Sequence, residues 1–305
     1  MVHLQMKGFI ADNLFQYAVA RLLAEELGFA LCISHSRMRP GYNVPYFEAF
    51  LQACADAPLA VDGAVYEGPV DYNAHEDYGE FDGYDLDLAA LMADREPRRI
   101  EVCGHFQCYS VLRPYKERIR RWFAMTPDSG SYDISDEDIV LHVRRGDLLI
   151  YGLAMNPRFY TDLLQELSFR RLYIVGTGLD EEVRTLFRGY DPVYMQGSPV
   201  EDFRFMLCFR RMILSNSGFC WWAGFMSAAT EIYSPQMVAE ADNQHPKAQL
   251  ADLRVRDEPR FRYVEDVGYA RQPYRMRDLL RAFNMLGKRR ILKAFWELLS
   301  RRLSR

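Results

Sequence analysis

From residue 139 onward the sequence alternates between two periodicities, and that alternation limits the possible folds more than any other feature. Short runs rich in β-branched and aromatic residues recur: "IVLHV" (139–143), "RLYIV" (171–175), "VYM" (193–195), "MILS" (212–215) and "EIYS" (231–234). Helical patterns lie between them, near 157–167, 180–188, 199–209 and 219–228. Strands separated by helices are parallel, because each crossover returns the chain to the same end of the sheet before the next strand begins. One helix start is well marked, with Ser198 as N-cap, Pro199 at the first helical position and Glu201 as capping-box partner.

The amino-terminal part opens in the same manner. "VHLQM" (2–6) reads as a strand, Phe15, Ala18, Val19, Leu22 and Leu23 repeat at helical spacing, and "ALCI" (30–33) reads as a second strand. Asp12 is the expected N-cap of the helix and Gly28 its terminator. Residues 36–95 read as long loops with short helices near 46–53 and 86–93; "RIEVCGHF" (99–106) follows as a strand and "RPYKERIRRWF" (113–123) as an amphipathic helix. The polar stretch "TPDSGSYDISDED" (126–138) is the expected boundary. The expectation is therefore an α/β chain of two doubly wound, Rossmann-like units over 1–132 and 133–270. Basic amphipathic helices over 271–305 would pack back on it or lie at its periphery.

Bulk properties exclude some functions. At 305 residues the chain can bury two cores, and a net charge of −4 argues against a nucleic-acid partner, which would call for a broad basic surface. Any anion site must be local. The six cysteines are scattered with no C-x-x-C pair, which fits reduced thiols in a cytoplasmic protein. The start lacks a signal-peptide pattern, and the apolar stretch around "FCWWAGFM" is too short to span a bilayer. Lys288, Arg289, Arg290, Lys293, Arg301, Arg302 and Arg305 give the tail a basic face suited to peripheral contact with an anionic inner-membrane surface. The histidines are too dispersed for metal ligation, and Asp85–Leu86–Asp87 reads as the acidic first turn of a helix.

Ligands of an open parallel sheet bind beyond the carboxyl ends of its strands. "LHVRRGD" (141–147) puts Arg144, Arg145 and Asp147 at such an end, and paired guanidinium groups suit the oxygens of a diphosphate. "MILSNSGFCWWAGF" (212–225) runs from a strand through Asn216, Ser217 and Gly218 into a helix, whose first N–H groups bind phosphate. At a third strand end, in "YIVGTGLDEE" (173–182), Gly176 and Gly178 flank Thr177 and suggest close backbone approach to a ligand. His142 stands two residues before Arg144, where it could help hold the nucleotide. Trp221 and Trp222 read as core packing rather than sugar stacking.

Four blocks, "NLFQYAVARLLAEELG" (13–28), "GHFQCY" (104–109), "HVRRGD" (142–147) and "LSNSGFCWWAGF" (214–225), resemble the bacterial and animal α-1,2-fucosyltransferases of glycosyltransferase family 11. The resemblance implies a GT-B type fold with two domains facing a cleft and a GDP-fucose donor bound mainly by the second domain. It also implies a glycan acceptor, inversion at the fucose anomeric carbon and no required metal or other cofactor. Carried over by position, Arg144 would hold the diphosphate, with His142, Arg145 and Asp147 organising the site. Asn216 and Ser217 would complete the cradle, and Gly8, Asn13 and Gln16 would serve the acceptor side. Departures from the family pattern fall at Ala11–Asp12, at Gly176–Thr177–Gly178 and at Arg210–Arg211. Asp12 and Asp147 are both candidates for the base, and the sequence singles out neither. Two alternatives remain beside the fucosyltransferase: a transferase using another GDP-sugar such as GDP-mannose, and a non-catalytic nucleotide-sugar or glycan-binding protein.

Overall fold

A computed structural model of the chain describes residues 1–6, 8–34, 44–56, 88–96, 99–102, 104–146, 148, 154–179, 181–236 and 252–264. Asp147, the Asp85–Leu86–Asp87 stretch and the basic tail 271–305 lie outside them. The chain divides into two compact units. One comprises 1–128 with 198–204 and 236–258; the other comprises 129–197 with 205–235 and 259–305.

In the first unit, β1 (Val2–Gln5), β2 (Leu31–Ser34) and β3 (Ile100–Val102) form a parallel sheet in the order β2-β1-β3. Helix α1 (Ile10–Leu27) joins β1 to β2, as the hydrophobic spacing predicts, and Gly28 ends it in the left-handed conformation at φ 67°. Its start differs from expectation. Phe9 is the N-cap, and Asp12 sits three residues into the helix, where its Oδ2 accepts the Phe9 N–H at 2.9 Å. An acidic side chain serves the unsatisfied first-turn donors from either place, which is why the sequence alone misassigned it. Almost every residue of α1 is buried, because α2 (Val44–Ala53), α3 (Leu88–Ala93) and α5 (Lys116–Trp122) also belong to this unit and aromatic rings close around Tyr17: Phe47 at 5.8 Å and Phe123 at 6.0 Å between centroids. The short helix α4 (Tyr109–Leu112) precedes α5. Glu101, fully buried in β3, is compensated by Arg99, by His3 at 2.9 Å and by the Gln5 amide at 3.0 Å.

Among the described residues the second unit holds six parallel strands: β4 (Ile139–Arg144), β5 (Leu172–Thr177), β6 (Val193–Met195), β7 (Arg211–Ile213), β8 (Glu231–Pro235) and β9 (Phe261–Val264), in the order β6-β5-β4-β7-β8-β9. The α/β class with parallel sheets is thus as the sequence predicts. β9 was not anticipated, since its exposed Arg262 interrupts a run of only four residues.

Strand parity separates two faces. On one, Leu141, Val143, Ile174, Ile213 and Tyr233 pack with Phe159, Tyr160 and Leu164 of α6 (Arg158–Glu166) and with Val183 and Phe187 of α7 (Glu181–Phe187). On the other, Tyr173 meets Phe205 and Phe209 at 5.6 and 5.2 Å, and Gly224 of α9 (Gly218–Met226) lies against Leu214 and Ile232. Helix α8 (Pro199–Met206) starts as predicted, with the Ser198 N–H donating to Glu201 at 2.7 Å and the Glu201 N–H donating to Ser198 Oγ at 3.3 Å. Trp221 and Trp222 have no exposed surface and pack with Phe225, which supports their reading as core.

Candidate functional site

The strand order fixes where a ligand could sit in the second unit. From β4 the chain winds outward through β5 to β6, then returns to the other flank of β4 as β7 and winds out through β8 to β9. Connections diverge at this reversal, and open parallel sheets take their ligands in a crevice at such a point, here expected at the carboxyl ends of β4 and β7. The loops opening there are the two that carry Arg144–Gly146 and Asn216–Gly218. These loops are joined by a hydrogen bond of 2.8 Å between His142 Nδ1 and Ser215 Oγ, both buried.

Arg144 ends β4 and is partly exposed, its Nη1 donating to Thr177 Oγ1 at 3.1 Å. Arg145 has the opposite environment, only 3% exposed. The Arg145 N–H donates to the Thr177 carbonyl at 3.1 Å, which fastens the turn after β4 to the end of β5. Arg144 thus offers its guanidinium partly to solvent, where it suits an anionic ligand, while that of Arg145 is buried. Beside them Ser217 caps α9, accepting the Trp221 N–H through its carbonyl at 3.0 Å. The Asn216 N–H donates to Met155 Sδ at 3.1 Å. The start of α9 therefore points its dipole at the edge where the arginines sit.

His142 takes a role other than the nucleotide contact expected of it. Its ring is buried, bonded to Ser215 and 5.8 Å from the ring of Phe219. Burial and the nearby Arg144 charge pull its pKa down from 6.5 to about 3, so the imidazole is neutral and braces the two loops from below. Burial raises the pKa of the adjacent Cys220 thiol to about 11, and Cys220 Sγ donates to the carbonyls of Ser215 and Ser217 at 3.3 and 3.2 Å. That thiol is a spacer in the loop's underside and is not poised as a nucleophile.

The glycines at the end of β5 also change meaning. Gly176 has φ 140°, and a Cβ there would lie 1.9 Å from the Val143 carbonyl oxygen; Gly178 has φ 76°, and a Cβ there would lie 2.7 Å from the Gly146 nitrogen. The sequence suggested close approach to a ligand, but the close neighbour is the chain itself, where the β4 and β5 ends converge. Arg210 and Arg211 stand at the opposite, amino end of the sheet. There Arg211 pairs with Glu231 at 2.9 Å and Arg210 donates to the Ala228 carbonyl at 3.2 Å, so their departure from the family pattern does not reach the crevice.

In the first unit the expected acceptor-side residues separate. Asn13 and Gln16 have no exposed surface and are bonded to each other at 3.4 Å, which places them in the interior of α1. They were assigned by position in a motif, which carries no information on which face of the helix is covered. Gly8, at φ 80°, has Asp12 Oδ2 only 2.3 Å from where a Cβ would be, and so makes room for the capping carboxylate. Asp12 meets two residues that the sequence reading passed over, Gln107, donating to Oδ1 at 2.6 Å, and His105, whose Nδ1 is 3.5 Å from Oδ1. Both lie in "GHFQCY", directly after β3, and a pair of polar side chains flanking an aromatic at a strand's carboxyl end was the available signal.

Among the described residues, no group of three or more His, Cys, Asp or Glu side chains is placed to hold a metal ion, and no helix is long and apolar enough to cross a membrane. The five described cysteines are unbridged.

Residues 180–253 match the model of glycosyl transferase family 11. The resemblance read from the sequence is shown over that stretch, which contains β7, the Asn216–Gly218 turn and α9. The search of curated proteins found no match. Among solved structures, similar chains include the NodZ α-1,6-fucosyltransferase soaked with GDP-fucose, at TM-score 0.47 and 16% identity over 76% of this chain and 93% of that one. NodZ from Bradyrhizobium also matches, at TM-score 0.46 and 15% identity, covering 76% and 94%. A variant of Arabidopsis thaliana FUT1 in complex with GDP gives TM-score 0.42 at 8% identity, covering 81% and 72%. No residue role is taken from likenesses this distant.

Proposed function

We propose that the chain is a glycosyltransferase that moves L-fucose from GDP-fucose to a glycan hydroxyl, the 2-OH of a galactoside, with inversion and without a metal. One observation carries the reading: Arg144, Arg145 and the start of α9 converge at the reversal point of the second sheet, and the family match covers half of that convergence. Breaking the sugar–phosphate bond leaves negative charge on the departing diphosphate. Arg144 meets that charge at the surface, Arg145 fixes the turn beneath it, and the first amides of α9 add their dipole. Asp147, next to Gly146, is assigned by position to organising this site.

The test is donor consumption and product analysis with GDP-fucose and GDP-mannose against a glycan acceptor array. Arg144→Ala is expected to lower turnover by ~10²–10³-fold, the effect of removing one preorganised donor. An Arg144→Ala protein that keeps most of its transfer rate would refute the assignment. Turnover of GDP-mannose in preference to GDP-fucose would move the protein to the alternative donor, and binding of GDP-fucose without turnover on any hydroxyl, water included, would make it a binding protein.

A further inference from the structure

The last rung of the β4–β5 ladder pairs Arg144 with Thr177. Paired residues of a parallel ladder send their side chains to the same face, and every second residue of a strand shares that face. Arg144 and Thr177 therefore lie on the face of His142, whose ring is 5.8 Å from that of Phe219 in α9. There Arg144 Nη1 donates to Thr177 Oγ1 at 3.1 Å, with Thr177 exposed and Arg144 partly so. All of these residues belong to the second unit.

The fold fixes the place of this hydroxyl. The Thr177 carbonyl accepts the Arg145 N–H at 3.1 Å, and Thr177 stands between the two glycines that the converging strand ends require. A Cβ at Gly178 would lie 2.9 Å from Arg145 Cβ, and one at Gly146 would lie 3.5 Å from Thr177 Oγ1. The turn after β4 thus closes on Thr177, which carries the one side chain of the Gly176–Thr177–Gly178 run. That side chain is β-branched, so its χ1 is restricted and its oxygen keeps a defined position.

What such an oxygen does for an arginine follows from the shape of the guanidinium. The group is planar and donates in a fixed fork, so anchoring Nη1 restricts the directions in which its other N–H groups point. A donor that stabilises charge on a departing group acts best when it is already oriented, because nothing has to be reorganised as the charge develops.

We infer that Thr177 is a positioning residue, whose hydroxyl holds the Arg144 guanidinium in the direction that meets the leaving diphosphate. The inference rests on the transferase reading above and adds to it the residue through which Arg144 is aimed. Thr177 acts through Arg144, so removing its hydroxyl matters only while the guanidinium is there to be held.

The experiment compares wild type, Thr177→Val, Thr177→Ser, Arg144→Ala and the double variant Arg144→Ala/Thr177→Val. The readouts are kcat and KM for GDP-fucose with methyl β-galactoside as acceptor, calorimetric titration with GDP, and the thermal midpoint. Thr177→Val, which keeps the shape and loses the oxygen, is expected to lower kcat about tenfold while KM moves less than about threefold. It should also weaken GDP binding at least about threefold, since GDP already carries the diphosphate charge. Thr177→Ser restores the acceptor and should return both quantities to within about threefold of wild type. In the Arg144→Ala background, Thr177→Val should change either quantity by less than about twofold.

A Thr177→Val protein within about twofold of wild type would overturn the inference, as would equal losses in the two backgrounds or a Thr177→Ser protein as impaired as Thr177→Val. Should Thr177→Val lose its thermal transition, Thr177→Ala replaces it in the same comparison. A wild-type chain that binds GDP without turnover leaves the decision to the GDP affinities of the four variants. A wild-type chain that neither binds GDP nor consumes GDP-fucose would sink the transferase reading, and this inference with it.

Discussion

His142 couples the stability of the second unit to pH, and the sign and size of the coupling follow from its surroundings. Burial, assisted by the Arg144 charge, lowers its folded-state pKa to about 3, while in the unfolded chain it returns to 6.5. Between those values the unfolded chain binds a proton that the folded chain refuses, so stability falls as pH drops below 6.5 and the loss is complete near 3. Integrated from about pH 7 to about pH 5, that one group removes about 2 kcal/mol, and over its full window about 5 kcal/mol. Most carboxylates titrate below this range, and the remaining histidines contribute equally to wild type and variant. The assay is urea denaturation near both pH values for wild type and His142→Asn, which keeps a polar partner for Ser215 but cannot take up the proton. Wild type should lose about 2 kcal/mol more than the variant over the interval. Equal losses, within about 0.5 kcal/mol, would show that the imidazole is not held neutral and that its bond to Ser215 does not brace the loops.

Two further substitutions test the packing around the crevice. Gly176→Ala would place a methyl group against the Val143 carbonyl in a backbone conformation that alanine avoids; it should cost at least about 3 kcal/mol by chemical denaturation, and an unchanged midpoint would mean the β4 and β5 ends are not so close. Trp222→Ala removes a fully buried indole and should lower stability by about 3–5 kcal/mol, whereas a change under about 1 kcal/mol would reopen a ligand-stacking role for the ring.

Much of the second unit could be read from sequence because its signals are local. The switch between periods of two and 3.6 residues marks β4 through β8, and the Ser198–Glu201 capping box is written in four consecutive residues. The same reading placed Arg144 and the Asn216–Gly218 turn at strand ends, and the parallel order of strands then required those ends to lie on one edge of the sheet. It fell short wherever a side chain's role depended on its partner. His142 looked like a ligand contact until Ser215, 73 residues away, was found bonded to it.

Sequence by itself determined the class of fold, the parallel sense of its strands and the chemistry at the carboxyl end of β4, because each depends on neighbours along the chain. Tertiary structure alone decided that strand order reverses at β4 and at β1, and hence which loops meet. It also decided that Arg145 is buried while Arg144 is partly exposed, and that Asp12 and His105, 93 residues apart, face one another. The physical reason is that burial and hydrogen bonding are properties of pairs brought together by folding, and nothing in the local spacing of either partner records the other.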